Sequence, residues 1–276
     1  PILCSSNTPQ KHSIEVIEEN EDILVICKPS GMPIHPCGKY RFNTLIYILY
    51  NEHGRKDVYS AHRLDRVTSG LMLLCKTKRM AQTLGAKIRD RDMKKTYLAR
   101  VQGRFPVPSA ESKDAGNDSG NSRITVNQPI RCKDHQKGVH EIHEDGKDAM
   151  TEFEFISYDA QSDTSLVYCY PKTGRTHQIR LHLQYLKHPI VNDFAYGGKD
   201  SNEKHWIPTD EHEKQKLVDE IKKHWDEECV ECKLILDEMN GTCTGQVRNS
   251  APEIWLHALK YECDDFSYSV PKPYWA

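Results

Sequence analysis

No run of eighteen apolar residues occurs in the 276-residue chain, so no stretch is long enough to cross a membrane as a helix. An excess of charge is missing too. The 38 Lys and Arg nearly balance the 40 Asp and Glu, and a net charge of −2 does not advertise a nucleic-acid binder. No internal repeat is visible. Cys229 and Cys232 form a CxxC, but no second pair follows at a standard zinc spacing, so metal binding there is a weak signal and free thiols the better reading. No secretory signal is readable. The ten irregularly spaced cysteines therefore read as thiols of a reducing compartment, with Cys27 and Cys75 as small core residues inside apolar runs. The expected location is the cytoplasm or nucleus, with the mitochondrion left open.

What is present is a globular composition, 37% hydrophobic and 28% charged, in a chain long enough for one large domain or two small ones. Charge is unevenly placed. From Lys76 to Arg104 ten basic residues stand against two acidic ones, a balance of +8; from Lys199 to Glu238 seven lysines stand against thirteen acids, a balance of −6. The first segment suits a polyanion, because Lys and Arg near phosphates release condensed counterions. A solvated helix face explains the charge equally simply.

Short β-rich runs at 14–17 and 23–27 flank a polar turn and predict a hairpin. Leu45, Ile48 and Leu49 share one face of a short helix over 44–50. Leu71 to Cys75 reads as a buried strand. Met80, Leu84 and Ile88 recur every four residues and predict a helix capped by Thr77. Strands are expected at 96–102, 151–158, 165–170 and 253–261. Helices are expected after Thr173-Gly174 and from Pro208. Residues 106–145 read as a flexible insertion and 199–250 as an acidic one, within a single domain spanning 1–276. The fold class is α+β, with a mixed, mostly antiparallel central sheet, flanking helices and a central cleft.

Three segments carry possible chemistry. In "AHRLDRVTSG", His62, Arg63, Asp65 and Arg66 fall within five residues. An aspartate beside an arginine stays ionised and can serve as a nucleophile, although a loop carboxylate capping a backbone N–H is the commoner case. In "PKTGRTHQIRLHLQ", a Thr-Gly turn runs into a helix whose unpaired N–H groups favour an anion, with Arg175, Thr176, His177 and Arg180 alongside. An ordinary glycine turn before an amphipathic helix accounts for the segment as well. His177, Arg180 and Gln184 fall on one helical face by spacing. In "KKTYLARV", Tyr97 can stack on a base or simply be a half-buried strand tyrosine.

Taken together and in order, "ILVICKPSGMPIHP", "HRLDRVTSGLMLL" and "TGRTHQIRLHLQYLKHPIVNDFAYG" resemble segments of the RluA-type pseudouridine synthases. "KKTYLARVQG", "GKDAMTEF" and "IWLHALKYE" are similar to weaker segments of that family. The resemblance runs from about Ile14 to the C-terminus and fits least well at 106–145 and 199–250. It implies the pseudouridine synthase fold, with Asp65 as the catalytic aspartate acting on a flipped-out uridine. It implies Tyr97 stacked on the target base and Arg180 paired with Asp65, with His62 and Arg63 beside the nucleotide. Substrate and product are isomers, so no cofactor is implied. The expected partner is RNA, tRNA ahead of mRNA, for a monomer with no membrane association. Two departures stand out: Lys187 and Asn192 occupy positions where the family commonly has glycine. A catalytically inactive RNA-binding module of the same fold, or a zinc-containing interaction domain around Cys229 and Cys232, are the alternatives.

Overall fold

The computed structural model describes residues 14–36, 40, 42–107, 123–134, 138–198, 215 and 253–276. The chain divides into two compact units, 1–85 with 201–254, and 86–200 with 255–276. No helix among the described residues is long and apolar enough to cross a membrane.

In the first unit β1 (Glu15–Glu19) and β2 (Ile23–Lys28) form the expected antiparallel hairpin. Asn20 closes its turn: the side-chain oxygen accepts the N–H groups of Asp22 (3.0 Å) and Ile23 (2.7 Å). β3 (Tyr59–Ser60) and β4 (Ser69–Cys75) follow, and β4 pairs antiparallel with both β2 and β3. Every residue of β4 is buried, which is why it reads as a continuous apolar run rather than an alternating one. Gly70, near its start, has φ of 107°, a conformation that a side chain would strain. Between β2 and β3, α1 (Leu45–Asn51) buries Leu45, Ile48 and Leu49, the three residues its spacing picks out.

After β4 comes α2 (Lys78–Arg89), which buries Leu84; the Thr77 hydroxyl accepts the Met80 N–H at 3.1 Å and caps the helix. The second unit then contributes β5 (Lys94–Gln102), β6 (Arg123–Asn127), β7 (Ile130–Asp134), β8 (Val139–Ile142), β9 (Met150–Asp159), β10 (Thr164–Pro171), α3 (Gln178–Tyr185), β11 (Leu256–Cys263) and β12 (Phe266–Ser269). Its strands run in the order β11-β5-β10-β9-β6, with β12 also on β11 and with β7 and β8 as a separate hairpin. All these pairings are antiparallel. The architecture is α+β, as the sequence predicts.

The polar stretch from 123 to 145 carries three strands. Cross-strand ion pairs do there what apolar contacts do elsewhere: Arg123 meets Glu152 and Glu154, each at 3.1 Å, and Arg131 meets Glu141 at 2.9 Å. A small core of Ile130, Ala149, Leu181 and Tyr196, with Ile142 against it, lies under the β7–β8 hairpin. Residues 108–122, the acidic segment 199–250 apart from Gln215, and Cys229 and Cys232 lie outside the described residues.

α3 ends in a Schellman turn. The His188 N–H donates to Leu183 O (3.0 Å) and the Lys187 N–H to Gln184 O (2.9 Å), with Lys187 at φ 67°. Asn192 also has φ of 67°. The two glycine departures therefore fall on left-handed backbone, where glycine is the unstrained residue.

Candidate active site

The "HRLDRV" loop lies just before β4 and is held by four separate contacts. The Leu73 N–H donates to His62 Nε2 (3.1 Å), so this imidazole nitrogen serves the sheet. The Thr68 N–H donates to Asp65 O (3.1 Å) and closes the turn on the aspartate itself. Ser30 Oγ donates to Val67 O (2.6 Å). The fourth contact is Lys28. This lysine is fully buried, and its ammonium donates to Pro29 O (2.8 Å), Met32 O (2.9 Å) and Arg66 O (3.2 Å). Three carbonyls thus take all three N–H groups, and the "KPSGM" segment is tied to the residue following Asp65. Burial pushes the Lys28 ammonium down to about 7; the negative charge of Asp65 opposes that shift and the Arg66 cation adds to it.

Asp65 is half-buried on this fixed backbone, and Arg63 is exposed. Arg63 makes no hydrogen bond or ion pair with any described residue. Arg66 lies against Tyr40, with Nη1 3.2 Å from the phenol oxygen and the guanidinium 5.5 Å from the ring centre. The loop presents one carboxylate and two arginine side chains from a backbone that four contacts immobilise.

In the second unit the Thr-Gly turn is organised by a residue the sequence did not single out. Gln178, the first residue of α3, is buried. Its Oε1 accepts the Thr173 hydroxyl (2.7 Å) and the Arg175 N–H (2.9 Å), and its Nε2 donates to Met150 O (2.9 Å) and Thr151 Oγ1 (3.0 Å). His182 is buried behind it. Its Nε2 lies 3.0 Å from the Gln128 carbonyl and must donate, so Nδ1 accepts from Thr151 Oγ1 at 2.9 Å, and burial lowers the imidazole pKa.

His177 does not share a helical face with Arg180, because it precedes α3 in left-handed backbone, φ 58°. The turn diverts it, and its Nδ1 meets the Tyr196 hydroxyl at 2.6 Å. Arg175 and Thr176 are exposed in the turn, and Arg175 Nε donates to Asp148 O (2.9 Å). Arg180 is buried. Its Nε and Nη2 bind both oxygens of the buried Asp193, at 2.7 and 2.8 Å, and its guanidinium lies 4.7 Å from the Tyr196 ring centre. A bidentate pair of this kind fixes the plane of the arginine.

Tyr97 stands on β5, and its hydroxyl lies 2.8 Å from that of Tyr261 on β11, with ring centres 6.0 Å apart. Tyr261 is completely buried, and burial raises its pKa well above the usual phenol value. It therefore remains a neutral phenol next to the Tyr97 oxygen.

His62, Arg63 and Asp65 are thus brought together in the first unit, and Tyr97, Arg175, Thr176, His177 and Arg180 belong to the second. Lys28, Gln178, Asp193, Tyr196 and Tyr261 were missed. A lysine at the end of an apolar strand, directly before proline, was the available signal for the first. The basic segment expected to face a polyanion is not uniformly available. Lys87 pairs with Asp265 (2.7 Å), Arg100 Nε donates to Trp275 O (2.7 Å), and Arg104 lies over Tyr158.

Residues 22–185 match the family model described as RNA pseudouridylate synthase. The human protein named Pseudouridylate synthase RPUSD2 is 41% identical over 197 residues, 69% of this chain and 33% of that protein. Its mouse counterpart is 31% identical over 344 residues, and there the alignment covers 98% of this chain and 59% of the relative. The tRNA pseudouridine(31) synthase of Saccharomyces cerevisiae is 37% identical over 281 residues, covering 95% of this chain and 69% of that one. The chain therefore spans a third of the human relative and under two thirds of the mouse one. Among solved structures, Human RNA Pseudouridylate Synthase Domain Containing 1 shares the fold with a TM-score of 0.61 at 20% identity, over 97% of this chain and 86% of that one. With the matched segment holding the "KPSGM" strap, the "HRLDRV" loop, β5 and the start of α3, this chain belongs to the RNA pseudouridylate synthase family.

Proposed function

We propose that the chain isomerises uridine to pseudouridine in RNA, with tRNA as the substrate class. The observation that carries this reading is the Asp65 carboxylate on a loop immobilised by Lys28, Ser30 and His62. A nucleophile or proton-transfer group needs this kind of fixed backbone, because small misplacements cost large rate factors. The relatives named tRNA pseudouridine synthases, from Saccharomyces cerevisiae, favour tRNA.

In the reaction the N1–C1′ glycosidic bond breaks and a C5–C1′ bond forms. The hydrogen on C5 leaves as a proton, and N1 gains one. Nothing is oxidised or reduced, so no cofactor is required. Asp65 acts at C1′ or at C6, or promotes a glycal route. The target uridine leaves its stack first, since none of these atoms can be reached inside a helix. Arg63, exposed and unpaired among the described residues, fits the task of holding that nucleotide out. Tyr97 offers its ring to the flipped base, oriented by Tyr261. Asp193 fixes the plane of the Arg180 guanidinium.

The test uses unmodified tRNA transcripts, incubated with the protein and digested to nucleosides. A new nucleoside with the mass of uridine and a different retention time is expected. Its formation only from polyadenylated transcripts would move the substrate class to mRNA, and its absence from both would overturn the reading.

A further inference from the structure

Lys95 precedes Tyr97 by two residues on β5, so both side chains leave the same face of the strand, about 6–7 Å apart along it. Directly across, on β11, stands Tyr261, the residue that holds the Tyr97 hydroxyl. The Lys95 ammonium reaches the Thr173-Gly174-Arg175 turn: a methyl group built on Gly174 would lie 3.8 Å from Nζ. Glycine at this position leaves that side of the ammonium uncovered.

Among the described residues Lys95 has no counter-charge. Among the described residues it makes no hydrogen bond and no ion pair. Lys76, Lys87 and Lys172 pair with Glu19, Asp265 and Glu152, and the fully buried Lys28 meets three carbonyls. Burial lowers the pKa of Lys95, and burial is the whole cause, with no carboxylate acting against it. A largely desolvated ammonium without a partner is costly unless an anion arrives to pair with it. Arg175 brings a second cation to the same turn. It is held by Nε on Asp148 O and by its own N–H on Gln178, and it pairs with no carboxylate among the described residues. The turn between the two cations is preformed, because Gln178 fixes it from beneath.

We infer that Lys95 and the Gly174 turn form a subsite for one phosphodiester of the RNA backbone, beside the nucleotide that stacks on Tyr97. The inference rests on the proposed role of Tyr97 and deepens it. The ring takes the base, and the neighbouring ammonium on the same strand face takes a flanking phosphate. A phosphate contact of this kind fixes register without reading sequence. The same residues offer no metal ligand, and an ammonium beside a glycine turn gives a carboxylic-acid metabolite no further contacts to select it.

The test measures filter binding of unmodified tRNA transcripts, labelled with [5-³H]uridine, to the full chain across a series of KCl concentrations. Wild type, Lys95→Met and Lys95→Arg are compared. Methionine keeps the apolar stem; Lys95→Gln repeats the test with a polar end. Each lost phosphate contact reduces the slope of log K against log salt by about 0.7–0.9. Lys95→Met and Lys95→Gln should show that smaller slope, and Lys95→Arg should keep the wild-type one. A lysine that merely supports the turn would weaken binding with the slope unchanged, and that result overturns the subsite. Tritium release by the wild type from the same RNA keeps the two readings apart. Release together with an unchanged slope removes only the subsite; a wild type that neither releases tritium nor binds removes both.

Discussion

Replacing Lys28 by methionine removes an ammonium that three backbone carbonyls surround, those of Pro29, Met32 and Arg66. Methionine fills a similar volume but donates nothing, so the buried carbonyls lose their donor. Each such loss costs about 1–3 kcal/mol, so three of them, less the relief of removing a buried charge, come to about 3–5 kcal/mol in all. At pH 7 the variant should therefore be about 3–5 kcal/mol less stable by urea unfolding. The pH dependence provides a second reading of the same site. The unfolded chain keeps the lysine proton up to about 10.5, whereas the folded one releases it near 7, because burial disfavours the charge. Between those values the folded state binds fewer protons, so wild-type stability rises with pH at about 1.4 kcal/mol per unit, and the variant lacks that rise. From pH 7 to pH 9 the gap between the two should widen by about 2–3 kcal/mol. A loss below about 1 kcal/mol, or a gap that stays constant with pH, would refute the account of Lys28 as a desolvated strap under the Asp65 loop.

Tyr261→Phe keeps the buried ring and removes only the hydroxyl that meets Tyr97 at 2.8 Å. It should cost about 1 kcal/mol of stability and slow single-turnover tritium release about tenfold or more, since placement of the stacking ring sets the reacting geometry; an unchanged rate would remove Tyr261 from the site. Lys187→Gly should stabilise the protein by up to about 1 kcal/mol, because Lys187 carries a side chain at the left-handed position of the α3 Schellman turn, φ 67°. Destabilisation in thermal or urea unfolding would mean that the lysine side chain contributes a contact worth more than its backbone strain.

Periodicity made the elements with apolar faces legible. The run at 71–75 is a strand buried on every residue, and the four-residue spacing of Met80, Leu84 and Ile88 became α2. The strands between 123 and 142 were not legible, because ion pairs such as Arg123 with Glu152 and Glu154 stabilise them in place of an apolar alternation. Asp65, Tyr97 and Arg180 stood out as residue types in suggestive company. Their supports did not, because each support is polar and acts from a distance. Tyr261 lies 164 residues from Tyr97, and Lys28 lies 38 residues from the carbonyl it binds at Arg66. The one local signal for Lys28 is its place at the end of an apolar strand directly before proline, and that alone does not name the carbonyls it binds. His177 was misplaced for a related reason: helical spacing was extended one residue past the left-handed turn that opens α3.

The most direct measurement of the central claim is tritium release from RNA labelled at uracil C5, with the wild type beside Asp65→Ala. Forming the C5–C1′ bond expels that hydrogen, so release reports the isomerisation itself. The account predicts release by the wild type and none above background by Asp65→Ala, with the variant still folded and still bound to RNA. Equal release by both proteins, or none by the wild type, would contradict it.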